Sequence, residues 1–79
     1  MKIKSSQKIR LGDNIKNIIE NQNLKKVDII REMQLSGIPM TKQHFYRLEN
    51  NLAHITADEL VMLSKILKCD ITEFFKETD

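Results

Sequence analysis

Apolar residues recur at three- and four-residue intervals along most of this chain, and no stretch alternates apolar with polar long enough to make a useful strand. Every substantial element is therefore predicted to be helical. Leu11, Ile15 and Ile18, extended by Gln22, form the stripe of a first helix that begins between Gln7 and Leu11 and ends near Asn21. Gly12 weakens its first turn, and either Ser6 or an Asp/Asn near position 13 is the candidate cap. Val27, Ile29, Ile30 and Met33 mark a second helix from about Lys26 to Leu35, and Ser36-Gly37 supplies its stop before Ile38 and Pro39.

The next segment, TKQHFYRLEN at residues 41–50, is the most informative. Wound at about 100° per residue, it puts Lys42, Gln43, Tyr46, Arg47 and Asn50 on one arc and Thr41, Phe45, Leu48 and then Leu52 on the other. One face is a hydrogen-bonding surface and the other a core ridge. Lys and Arg grip phosphates or guanine edges, and Gln offers adenine a paired donor and acceptor in the major groove. A solvated surface helix has the same amphipathicity. The order helix, helix, turn, polar-faced helix is what favours a DNA-reading role.

Past this helix, Asn50-Asn51 tolerates a left-handed residue. Thr56 with Glu59 reads as a capping box opening a fourth helix whose stripe is Leu60, Leu63 and Leu67, with Met62 and Ile66 off it. Asp70 with Glu73 repeats the device for a short fifth helix. Its Ile71, Phe74 and Phe75 exceed what one short turn buries, so together with Met62 and Ile66 they form the expected dimer surface.

Seventy-nine residues make one small domain, whose core is marginal unless a partner completes it. The net charge is only +2, but it is polarised. Residues 1–50 hold ten Lys/Arg against five Asp/Glu, a balance of +5, whereas residues 51–79 hold three against six, a balance of −3. The basic portion carries the candidate reading helix, as a molecule pointing one end at phosphate would. Cys69, the single cysteine, excludes an internal disulfide and reads as a small buried hydrophobe between apolar neighbours. The start lacks the apolar run of a signal peptide, and no 18-residue apolar stretch occurs, so a cytoplasmic protein with no membrane partner is expected. His44 and His54 with one Cys are too few and too scattered for a metal site. No Gly-rich phosphate loop and no nucleophile with an ordered base is present, and Asp58 and Glu59 read as first-turn helix charges. No enzymatic activity and no cofactor are implied.

From about Leu11 to Phe75 the chain resembles the phage-repressor and Cro-like helix-turn-helix domains, the xenobiotic-response-element family. Leu24, Ile29 and Ile30, then Phe45 and Arg47-Leu48-Glu49-Asn50, Leu60 and Leu67, and the closing Asp70-Ile71-Thr72-Glu73-Phe74-Phe75 carry the resemblance. It implies an all-α, compact five-helix bundle of the lambda-repressor-like type over residues 9–76, behind a flexible basic arm at 1–8 and before a tail at 77–79. It places base reading on Lys42, Gln43, Tyr46 and Arg47. Phosphate contacts then fall on Lys25 and Lys26, on Thr41 and His44, and on Asn50 and Asn51. The expected partners are double-stranded DNA and a second copy of the chain, with a repressor at a two-fold operator as the leading function. A DNA-binding antitoxin that also neutralises a toxin protein is the alternative, and an interaction module without DNA binding a further one.

The chain also departs from the family pattern. Between Ile30 and Thr41 it is about five residues longer than the usual tight turn. The arginine that pairs in many relatives with the glutamate matching Glu49 is here Ile19, so Glu49 must find another partner or remain exposed. The usual Gly is Asn51, and the usual Pro before the fourth helix is Ile55.

Overall fold

The computed structural model describes residues 2–3 and 9–77. Its helices are α1 (Leu11–Asn21), α2 (Lys26–Leu35), α3 (Lys42–Glu49) and α4 (Ala57–Ile66), followed by a 3-10 helix, Ile71–Phe75. Two-residue strands β1 (Lys2–Ile3) and β2 (Ile55–Thr56) pair antiparallel, Ile3 opposite Ile55 and Lys2 opposite Thr56. Part of the expected basic arm is thus a strand. Lys4 and Ser6 of that arm, and the last two residues of the tail, lie outside the described residues.

The fold is all-helical apart from this short ladder, but the fifth α-helix is corrected to a 3-10 turn. Five residues are too few to repay α-helix nucleation. Locally, Asp70 does not build a capping box with Glu73. Its Oδ1 accepts from the Thr72 N–H at 2.9 Å and the Thr72 hydroxyl at 2.8 Å, which tightens the entry. Glu73 turns its carboxylate to Lys76 instead. The Thr56 and Glu59 box does form, with Thr56 Oγ1 accepting from Glu59 N–H at 3.1 Å and Glu59 Oε1 from Thr56 N–H at 2.7 Å.

Core residues follow the predicted stripes except in α1, where Ile19 rather than Ile18 is buried, Ile18 is half-buried and Gln22 is exposed, and at Val27 of α2, which is also exposed. Leu11, Ile15 and Ile19 of α1, Ile29, Ile30 and Met33 of α2, Phe45 and Leu48 of α3, and Leu60, Leu63 and Leu67 around α4 are buried together with Met40, Ile55 and Phe74. Ile55 explains itself here: a proline would remove an N–H from the strand that meets β1. Leu52, expected on the apolar side, is 62 % exposed because it falls after α3 has ended.

Amide side chains close the framework between elements. Buried Asn14 donates to the carbonyls of Phe74 and Lys76 at 2.8 and 2.9 Å, fastening the C-terminal 3-10 turn to α1. Gln22 donates to Leu67 O at 2.6 Å, just past the end of α4. The cap of α1 is a correction. Arg10 occupies the N-cap without a side-chain bond, and Asp13 pairs with Arg10 at 2.8 Å. The Gly12 N–H is instead satisfied from 39 residues away, by Asn51 Oδ1 at 2.9 Å. Gly12 is also where α1 meets the end of α3. A Cβ there would overlap the carbonyls of Leu48 and Glu49, so only glycine allows that approach.

Candidate nucleic-acid interface

The loop from Ser36 to Thr41 delivers α3 in a fixed orientation. Gly37 takes φ 91°, a left-handed turn no side chain favours, and the Gly37 and Ile38 amides bond back to Gln34 O and Met33 O. Met40 is buried, Ile38 is half-buried, and Gln34 Nε2 donates to Met40 O at 2.7 Å. The lengthened turn is therefore anchored to the core at both ends. Thr41 then caps α3, its Oγ1 accepting from the His44 N–H at 3.0 Å. Thr41 is exposed at this position rather than part of the core ridge.

Phe45 and Leu48 turn inward, and Lys42, Gln43, Tyr46 and Arg47 are exposed on the opposite side. The four residues thus share one exposed surface on α3. Arg47 Nη2 lies 3.4 Å from Leu52 O, a weak tether near the helix end.

The expected phosphate contacts are distributed less simply. Lys25 is exposed at the N-cap of α2 and makes no capping bond with its side chain. Lys26 begins α2, and its ammonium lies 3.1 Å from Glu49 Oε1. Glu49 is 2 % exposed, so the partner that Ile19 does not provide is supplied from α2. Among the described residues, its Oε2 is the buried side-chain oxygen without a hydrogen bond. His44 Nε2 sits 3.1 Å from Glu59 Oε2, tying the first turn of α3 to α4. Asn50 Nδ2 donates to Tyr46 O at 2.8 Å and closes the end of α3. Asn51 adopts the expected left-handed conformation at φ 60°, yet its side chain is spent on α1, on Gly12 and on Asp13 Oδ1 at 3.0 Å.

The expected dimer residues separate as well. Met62 and Ile66 open onto a groove of about 480 Å³ between α2 and α4, beside Leu24, Ile29 and Lys65. Ile71 is half-buried, and Phe75 is 36 % exposed. Phe74 is a correction: it has no exposed surface and belongs to the domain's own core, where α1 and α4 enclose the 3-10 turn. Cys69 is partly buried. Burial, with the Glu73 and Asp70 carboxylates nearby, pushes its thiol up, opposite to what a nucleophile needs. Among the described residues no cluster of three metal-ligating side chains occurs, and no helix is long and apolar enough to cross a membrane.

Sequence reasoning missed Asn14, which ties α1 to the C-terminal turn, and three contributors nearer this surface: Gln34, Glu59 as the partner of His44, and the exposed Val27 of α2. Asn14 and Glu59 act through contacts between distant segments and Gln34 through a loop contact six residues on, none of which periodicity encodes. Val27 carried a misleading signal, since apolar type alone suggested core.

Two helices crossing through an anchored turn, with the second presenting a polar face, define a helix-turn-helix-like arrangement. Among solved structures, the crystal structure of the PrgX/cCF10 complex contains a similar fold, with TM-score 0.71 and 24 % identity. The match covers 85 % of this chain and 20 % of that one, so the chain spans about a fifth of the neighbour's length. No family model and no curated protein matches the chain.

Proposed function

We propose that this chain is a sequence-specific DNA-binding transcription regulator of the Cro-like, xenobiotic-response-element type, acting as a repressor by occupying a two-fold operator as a dimer. The observation that carries the reading is the face of α3, where Lys42, Gln43, Tyr46 and Arg47 stand exposed on a helix held rigidly by Phe45, Leu48 and the Thr41 cap. Helix α3 enters the major groove. Gln43 presents its amide to adenine, Lys42 donates to a base-edge acceptor, Arg47 donates to guanine or phosphate, and Tyr46 packs along the groove wall. Lys25, Thr41 and Asn50 grip the flanking backbone and carry no sequence information. Dimerisation uses Phe75 with the Met62 and Ile66 groove, and no cofactor takes part.

The same groove favours a second reading, in which it receives another protein, as in a DNA-binding antitoxin. Selection of bound duplexes from a random pool, followed by a mass measurement of the complex, separates the readings. Enrichment of a two-fold sequence bound by two copies supports the regulator. Failure to enrich any sequence refutes DNA reading.

A further inference from the structure

Between α2 and α3 lies a notch of about 220 Å³, separate from the α2 and α4 groove. Its floor is Ile30 and Phe45 with the buried Glu49 carboxylate, its walls are Val27 and Tyr46, and Lys26 and Lys42 stand at its rim. Val27 is 47 % exposed and Tyr46 61 % exposed, so both walls present apolar surface to whatever meets α3. This is an unusual lining for a surface otherwise made of donors.

The following inference rests on the DNA reading proposed above and assigns a base to it. Base edges in the major groove of unmodified DNA carry one apolar group, the 5-methyl of thymine, and beside it the O4 acceptor. With Lys26 neutralised by Glu49, the net charge at the rim is that of Lys42, which favours a polyanion such as DNA over an apolar solute. Lys26 is already paired with Glu49 at 3.1 Å, leaving Lys42 as the donor toward a base. An ammonium only donates, so it suits thymine O4 and opposes the cytosine amine. We propose that the notch receives the methyl group of a thymine, that Val27 and Tyr46 grip it, and that Lys42 donates to the same base. Val27 is thereby a specificity-determining residue contributed by α2, outside the recognition helix.

The test uses a duplex recovered by random-pool selection with the full chain. Each thymine is replaced singly by uracil, which keeps pairing with adenine and removes only the methyl. One thymine in each half-site should respond with about fourfold weaker binding, the factor matching the ~0.8 kcal/mol of one buried methyl. Val27→Ala, at an exposed site whose thermal melt checks the fold, should bind the thymine and uracil duplexes alike. Placing 5-methylcytosine opposite guanine at the responsive position should bind more weakly than thymine. The inference is overturned if no thymine responds in a duplex still bound sequence-specifically, a result that leaves DNA reading intact. It is equally overturned if Val27→Ala keeps the full discrimination, or if 5-methylcytosine serves as well as thymine. A chain that enriches no sequence at all removes the DNA reading and this inference together.

Discussion

Replacing Asn51 tests how the end of α3 and the start of α1 hold one another. The residue sits at φ 60° and spends its amide on the Gly12 N–H at 2.9 Å and on Asp13 Oδ1 at 3.0 Å. Asn51→Gly keeps the backbone conformation but loses both bonds, each worth about 1 kcal/mol, for a cost of about 2 kcal/mol. Asn51→Ala loses the same bonds and leaves its Cβ in the left-handed region without the polar side chain that eases it there, which costs about 1 kcal/mol more than glycine. Its cost is then about 3 kcal/mol, a large part of the roughly 4 to 12 kcal/mol expected of a domain this size. Urea unfolding followed by far-UV circular dichroism, at constant m-value, measures both changes. A glycine variant as stable as the parent would refute the borrowed cap on α1. Alanine and glycine variants of equal stability would refute the backbone argument.

Three further expectations follow from the surface. Phe75→Asp should shift light scattering from dimer toward monomer, and a parent protein that is monomeric at tens of micromolar, free and on DNA, would contradict the proposed assembly. Lys25→Ala should weaken binding to specific and scrambled DNA alike and reduce the salt slope by about 0.9, as one lost phosphate contact does; an unchanged slope would remove Lys25 from the interface. The Thr72 N–H and hydroxyl hold the Asp70 carboxyl below its ordinary value, so its cap on the 3-10 turn is in place at neutral pH and is lost as pH falls through the lowered value. Carbon-13 titration of the Asp70 carboxyl checks this, and a midpoint at or above the ordinary aspartate value would contradict it.

Helix placement was legible because burial imposes the period that α1 to α4 display, and α2 runs from Lys26 to Leu35 as the spacing predicts. The Thr56 and Glu59 box and the left-handed Asn51 were legible for a local reason, since each depends on residues within a few positions. The exposed polar side of α3, with Lys42, Gln43, Tyr46 and Arg47, was legible by the same periodicity. Illegible features depend on contacts across the chain. Nothing near Gly12 shows that its N–H will be capped by Asn51, or that α3 will press too close for a Cβ. Phe74 and Phe75 are adjacent and alike, yet one fills the core and the other stays partly exposed, a difference set by the 3-10 geometry that follows Asp70. Glu49 was expected to find another partner or remain exposed, and Lys26 emerges as that partner only once α2 and α3 cross.

The central claim is that the exposed face of α3 reads bases rather than merely attracting phosphate. Gln43 near the start of that helix separates the two, because an amide paired with adenine contributes discrimination of about 1 to 3 kcal/mol and no net charge. Titration of Gln43→Ala against the selected operator and a scrambled duplex, at two salt concentrations, should show weaker operator binding, nearly unchanged scrambled binding and the parent's salt slope. Equal weakening on both duplexes, or no change on either, would contradict the assignment of the reading face.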